Sequence, residues 1–342
     1  MNGRPTMRDV AERAGVSIQT VSNVLNGRPV TREETRARVQ QAIRDLGYEP
    51  DAMARALRLR RSRTLGLVIE DDSRLALRDP LHALLLTGMV ERARQRDHAV
   101  SVIVTAPLHT ERQLEQLARQ GWLDGVVLSL QGAEGERDAF AERLAVSSLP
   151  MVAFEQRMRI PGLCTVTADN EGGAARICRL LLQLGHRRLA FLTGAVRWPA
   201  PERRLAGFRA AAAAERLEVA DVRAPSWTVD SARAVARRLL AAPDRPTAVC
   251  AANDVLAVGV VQGALDLGLE VPADLSVVGF DDFDFAALVR PALTTVRLDA
   301  IAMGEWAADA LIDRSERGEA MPDLVLATEL IVRDSTGPVP DA

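Results

Sequence analysis

The stretch Ala14–Gly27, AGVSIQTVSNVLNG, decides how the first part of this chain is read, because it joins two short helical patterns at a glycine. Upstream, Thr6 is placed to cap a first helix in which Val10, Ala11 and Ala14 share one face, and Gly15 falls where the chain must turn with positive φ. Downstream, Ser17 is placed to cap a second helix whose Val21, Val24 and Leu25 form an inward stripe. Thr31-Arg-Glu-Glu34 has the form of a capping box and opens a third helix that runs through Val39, Ile43 and Leu46 to Gly47. One compact three-helix bundle is expected, with Ser17, Ile18, Gln19, Thr20 and Asn23 outward or at the start of its second helix. Such a helix fits the DNA major groove: its N-terminus and hydroxyls suit phosphate, Gln or Asn pairs with adenine, and Ile suits a thymine methyl. A small helical subdomain with an ordinary polar face is the other reading of the same residues.

Charge favours the first reading. All 43 basic residues of the 342 are arginine, and the net charge is −3. Residues 1–63 hold 13 arginines against 7 acidic residues, a net of +6, which leaves −9 for the remainder. A basic head before an acidic body is the split expected of a polyanion-binding head, and a charged solvated linker is the other reading of it. After Pro50, Asp51 is placed to cap a short helix with Ala52, Met53, Ala56 and Leu57 apolar and Arg55, Arg58, Arg60 and Arg61 around them. It has little core of its own, so it is expected either to order on a polyanion or to act as an arginine-rich tether.

From Thr64 onward, apolar runs at Leu65–Ile69, Val100–Val104, Val126–Leu130, Met151–Phe154, Leu189–Leu192, Ala248–Ala251 and Leu275–Phe280 alternate with helical stretches. That is the pattern of parallel sheets covered by helices on both faces. With 48% apolar residues the chain can bury two or three cores. No phosphate-binding or dinucleotide glycine loop, HExxH or nucleophile elbow occurs, and the four histidines are scattered, so no enzyme is expected. Cys164, Cys178 and Cys250 are odd in number and lack metal-ligand spacing, so reduced buried thiols are expected, with no metal and no cofactor. The N-terminal segment MNGRPTMRDVAERAG has no apolar run, and no later stretch is long enough to cross a bilayer. The expectation is a cytoplasmic protein with no membrane partner.

The segments MRDVAERAGVSIQTVSNVLNG and VTREETRARVQQAIRDLGYEPDAMARALR closely resemble the N-terminal region of the lactose-repressor (LacI/GalR) family of bacterial transcription regulators. The resemblance continues in order through LGLVIED, WLDGVVLSL, VTADNEGG, LGHRRLAFLTG, RRLAGF, PTAVCAANDVLAVG, VPADLSVVGFDD, PALTTVRLD and ELIVRDST. It implies an all-α helix-turn-helix head (1–50), a hinge helix (51–63) and an α/β body (64–342) of two doubly wound parallel-sheet subdomains like periplasmic sugar-binding proteins. The N-subdomain would comprise about 64–166 and 295–326, and the C-subdomain about 167–290 and 327–342, with chain crossings near Val166, Leu288–Thr295 and Leu326. It further implies a homodimeric repressor on a pseudo-palindromic operator, with Leu57 as a minor-groove wedge and Arg58 beside it in the hinge. Ile18, Gln19 and Asn23 match base-choosing positions, while Ser17, Thr20 and Ser22 match phosphate-contacting or supporting ones. Arginine is commoner where this chain has Asn23, so a guanine contact is expected to become an adenine contact or to be lost.

For the body, the resemblance implies a small-molecule effector, a carbohydrate or related polar metabolite, between the subdomains. Arg204 matches an arginine that grips polar effector groups, Asn253 and Asp281 match hydroxyl-binding positions, and Trp227 matches a ring-stacking position. Read by themselves, Trp227 also fits a core residue, Asp281 a cap after its strand and Asn253 a turn residue. Where the family commonly has a short loop ending Asn-Pro-Phe-Phe, the segment Asp71–His82 is longer and ends Asp79-Pro-Leu-His82. Loss of both rings predicts weaker stacking, and His82 reads either as a ligand hydrogen-bonder or as a solvent-facing residue at a helix start. The helix ALLLTGMVERA after Pro80 matches part of the family's dimer face, or is simply buried. The terminal LIVRDSTGPVPDA has no leucine heptads, so a dimer is expected instead of a tetramer. A solute-binding protein of a transport system would share the body but would need a signal peptide, and a basic head stands there instead.

Overall fold

The computed structural model describes residues 5–25, 32–48, 62–70, 79–105, 116, 121–145, 149–158, 160, 162–195, 198–319 and 322–340. The chain divides into two compact units, Met1–Ser62 and Arg63–Ala342.

In the first unit, α1 (Met7–Ala14), α2 (Ile18–Leu25) and α3 (Glu33–Leu46) enclose a core of Val10, Ala11, Ala14, Val21, Val39, Ala42 and Tyr48. A reciprocal box opens α1: the Asp9 carboxylate accepts the Thr6 N–H at 2.7 Å while the Thr6 hydroxyl accepts the Asp9 N–H. Gly15 then turns the chain at φ 62°, and the Ser17 hydroxyl accepts the Thr20 N–H at 3.1 Å to start α2. The third helix departs from expectation. It begins at Glu33 behind an extended Arg32 that makes no side-chain cap, and Thr31 lies outside the described residues. Two acidic residues in its first turn suit the helix dipole instead. Tyr48, just past α3, is buried in the head core. The hinge, including Leu57 and Arg58, lies outside the described residues.

The second unit is built on two parallel sheets. Strands β1 (Thr64–Glu70), β2 (Ala99–Thr105), β3 (Gly125–Ser129), β4 (Met151–Phe154) and β5 (Leu163–Ala168) join β11 (Leu324–Leu326) in the order β11-β5-β4-β3-β1-β2. Strands β6 (Leu189–Gly194), β7 (Val219–Ala224), β8 (Ala248–Ala251) and β9 (Ser276–Val278) follow the order β7-β6-β8-β9. A short antiparallel ribbon pairs β10 (Thr295–Arg297) with β12 (Glu329–Ile331). Central strands are buried on both faces: Leu65, Leu67 and Ile69 of β1 enter the main core, while Val68 packs with Val126, Leu128, Phe140 and Leu144 on the other side.

Helices α4 (Pro80–Gln95), α5 (Glu134–Ala145), α6 (Asn170–Gln183), α7 (Pro199–Ala214), α8 (Val229–Leu240), α9 (Asp254–Leu265) and α10 (Ala300–Arg317) cover the sheets. α4 buries Leu85, Gly88, Met89 and Ala93 and exposes Val90 on its other flank. Its backbone meets that of α10 directly, since a Cβ at Gly88 would overlap the Ile301 carbonyl oxygen and one at Gly304 would overlap that of Leu85.

The chain passes between the sheets three times. It leaves the larger sheet after β5, returns after β10 to place α10 and β11, and leaves again after β11. Its last described segment rejoins the smaller sheet where Val277 N–H donates to the Ser335 carbonyl at 2.8 Å.

Candidate functional sites

In the head, Ile18 is 46% exposed and Ser17 and Gln19 are exposed at the start of α2. Gln19 Nε2 donates to Asn23 Oδ1 at 3.3 Å, and the Ser17 and Thr20 hydroxyls lie 2.9 Å apart. That pairing uses the Nε2 of Gln19 and the Oδ1 of Asn23, so Gln19 Oε1 can accept and Asn23 Nδ2 can donate, the two functions an adenine edge requires. Ser22 differs from its neighbours. It is buried within the bundle.

In the body, one cavity collects all five effector candidates, His82, Arg204, Trp227, Asn253 and Asp281. Its empty volume is about 530 Å³, part of it open to solvent. One wall comes from the larger sheet: Asp79 to His82 at the start of α4, Ser129 at the end of β3, and Phe154 to Gln156 at and beyond the end of β4. The other comes from Trp198 and Arg204 at α7 and from Trp227, Asn253 and Asp281 after β7, β8 and β9. Every strand-derived residue here lies at or just beyond the carboxyl end of a parallel strand, where open α/β sheets place their sites.

Arg204 is the hub. It is 2% exposed and donates from Nε to Asn170 Oδ1 at 2.8 Å and from Nη1 to the Ala252 carbonyl at 2.6 Å, while its guanidinium carbon lies 3.8 Å from the Phe280 ring centre. Its Nη2 lies 2.8 Å from Asp281 Oδ1, an ion pair by distance in which the N–H is not aligned on the oxygen. Asp281 holds φ at 101°, tied by its N–H to the Val296 carbonyl at 2.8 Å. Burial pushes its carboxyl up to about 6 against the pull of Arg204. Neighbouring Asp254 is pushed to about 8, first by burial and then by Asp281, although it accepts from the Thr295 hydroxyl at 2.6 Å and the Phe283 N–H at 2.9 Å. Glu155 is likewise raised by burial.

The remaining candidates resolve individually. Asn253 Oδ1 accepts the Leu256 N–H at 2.9 Å, so it caps α9 and keeps its amide nitrogen for the cavity. Trp227 packs onto the backbone of Gly194, where a Cβ would overlap its indole, and lines the cavity as well. His82 does not face solvent: it is 5% exposed, with Nε2 2.9 Å from Ser129 Oγ and its ring edge-on to Trp198 at 5.9 Å. Among the described residues no cluster of His, Cys, Asp and Glu is suited to a metal, and no helix is long and apolar enough to cross a membrane.

Residues 6–51 match the family model for bacterial regulatory proteins of the lacI family, and residues 178–336 match a periplasmic binding protein-like domain. The HTH-type transcriptional regulator CelR of Thermobifida fusca is 33% identical over 97% of this chain and 98% of its own length. The chain belongs to the LacI family of bacterial transcription regulators. Among solved structures, the lac repressor dimer bound to operator and the anti-inducer ONPF superposes with a TM-score of 0.87 at 26% identity, covering 98% of this chain and 100% of that one. A CelR–cellobiose complex gives 0.71 at 33% identity, covering 97% and 100%. The head and the doubly wound body are those of a LacI-family DNA-binding regulator. A transport protein would share only the body.

In this LacI-family regulator the sequence reading missed Trp198, Ser129, Glu155 and Gln156. Trp198 supplies an indole from the start of α7 to the wall beside His82. Glu155 and Gln156 immediately follow the strand read at Met151–Phe154, and that position was the available signal.

Proposed function

We propose that this regulator is a cytoplasmic homodimeric repressor, without catalysis, whose operator affinity is set by a polar, carbohydrate-class effector bound among Arg204, Asp281, Asn253, Trp227 and His82. The observation that carries the proposal is their convergence on one cavity walled by the carboxyl ends of both sheets. In support, a relative is seen in complex with cellobiose and the lac repressor dimer with operator. Ile18, Gln19 and Asn23 read bases, Ser17 and Thr20 meet phosphate, and Leu57 and Arg58 engage the minor groove when the hinge helices order. The body works as two subdomains, about 64–166 with 295–326 and about 167–290 with 327–342. An effector that favours one arrangement of these subdomains shifts hinge pairing and so the affinity for DNA.

The test begins with selection of bound sequences from a random duplex pool. A two-fold symmetric consensus is expected. Titration of the selected operator complex with a sugar panel then reads the coupling: a ligand that quenches cavity tryptophan fluorescence yet leaves operator affinity unchanged removes it. Failure to enrich any motif, with or without the panel, overturns the repressor assignment.

A further inference from the structure

The cavity is charged unevenly. Its lining holds the carboxylates of Asp79, Glu155 and Asp281 against a single guanidinium, that of Arg204, among the described residues. Two of the three are answered locally: Asp281 by Arg204 at 2.8 Å, and Glu155 by Arg203 at 3.6 Å together with the Ala168 N–H and Asn170 Nδ2. Asp79 spends one oxygen capping α4 through the Leu81 N–H, and among the described residues its other oxygen meets the His82 ring, at 3.9 Å.

A second observation is independent of charge. Gln156 is 1% exposed and lines the same cavity; its Nε2 donates to the Leu130 carbonyl at 2.7 Å, which fixes the orientation of the amide, and its Oε1 has no partner among the described residues. A buried acceptor left in this way calls for a donor from the occupant. Trp198 and Trp227 add two indoles to the walls, and indole faces attract cations.

We infer that the effector carries a protonated amine, as an amino sugar or a comparable polyol ammonium does, with the ammonium held by Asp79 and Gln156 Oε1 beside the indoles. An ammonium supplies three donors and one positive charge, which is what the orphaned acceptor and the excess carboxylate lack. This inference rests on the cavity being the effector site.

Matched ligands test it: glucose, glucosamine and N-acetylglucosamine, and cellobiose against the fully deacetylated glucosamine disaccharide, each titrated calorimetrically into the full chain. The ammonium member of each set is expected to bind at least about tenfold more tightly than its neutral partner. Asp79→Asn keeps an N-cap residue and is expected to reduce that preference about fivefold. Equal or tighter binding of the neutral members, weakened by Trp227→Ala, overturns the inference and leaves the effector site standing. Absence of binding by every member up to millimolar concentration, or binding indifferent to Trp227→Ala, removes the site and the inference together.

Discussion

Asp254 and Asp281 keep two carboxyl groups inside the body at values far above the usual 3.8, near 8 and 6. A carboxyl whose folded value is raised contributes most below its unfolded value, and that contribution is withdrawn as pH climbs through the folded one. The body is therefore expected to lose thermal stability steadily from about pH 4 to 8 through these two groups. Asp254→Asn, which can still pair with Thr295 and Phe283, should flatten the profile and raise the midpoint at pH 9 relative to the parent; a scan of melting temperature against pH checks this. Arg204 acts in the opposite sense, since it offsets a buried charge. Arg204→Met should cost about 3–5 kcal/mol in urea denaturation at pH 8 and less at pH 5, where Asp281 takes a proton. Equal losses at both pH values would show that the other bonds of Arg204, to Asn170 and Ala252, dominate.

Between elements, the tightest constraint is the approach of α4 to α10. Gly88→Ala places a methyl on the Ile301 carbonyl and should destabilise the body by about 2 kcal/mol or more, measured by denaturant midpoint at unchanged slope. In the head, Ser17→Ala removes the hydroxyl that accepts the Thr20 N–H and should cost about 1 kcal/mol. Sequence periodicity located the elements that bury a continuous stripe: β4 and β8 match their expected bounds, and β1, β2, β3 and β6 agree to within two residues. The longer run expected at Leu275–Phe280 shortens to the three residues of β9, and from Val278 onward pairing passes to isolated bridges with Thr294 and Arg297. It did not reveal β5 (Leu163–Ala168) or β7, whose sequence VADVRA puts Asp221 and Arg223 on an edge strand, or the three-residue β10, β11 and β12, which pair with distant partners. The site followed the same division. Arg204, Asn253 and Asp281 sit in motif words that a resemblance can locate, whereas Trp198 and Gln156 lie in connecting segments and join the cavity only through the tertiary fold.

For the whole molecule, the opposition between a head of net +6 and a body of net −9 makes DNA binding a property of the first 63 residues. Raising salt from about 50 to 200 mM should weaken operator binding at least about a hundredfold, as expected when several arginines displace counterions. A fragment beginning at Arg63 should show no affinity in the same gel-shift series. The two compact units should also melt separately, with the small head first and its transition raised most by operator. The three passages of the chain between sheets carry a further consequence for how such proteins can be rebuilt. The head joins the body through one stretch of chain, so exchanging it needs a single junction and can create a new pairing of operator and effector in one recombination event. Each half of the body is sewn from separate stretches of chain, so exchanging one half needs three compatible junctions. Recombination among relatives should therefore trade heads freely and inherit the two halves of the body as a single heirloom.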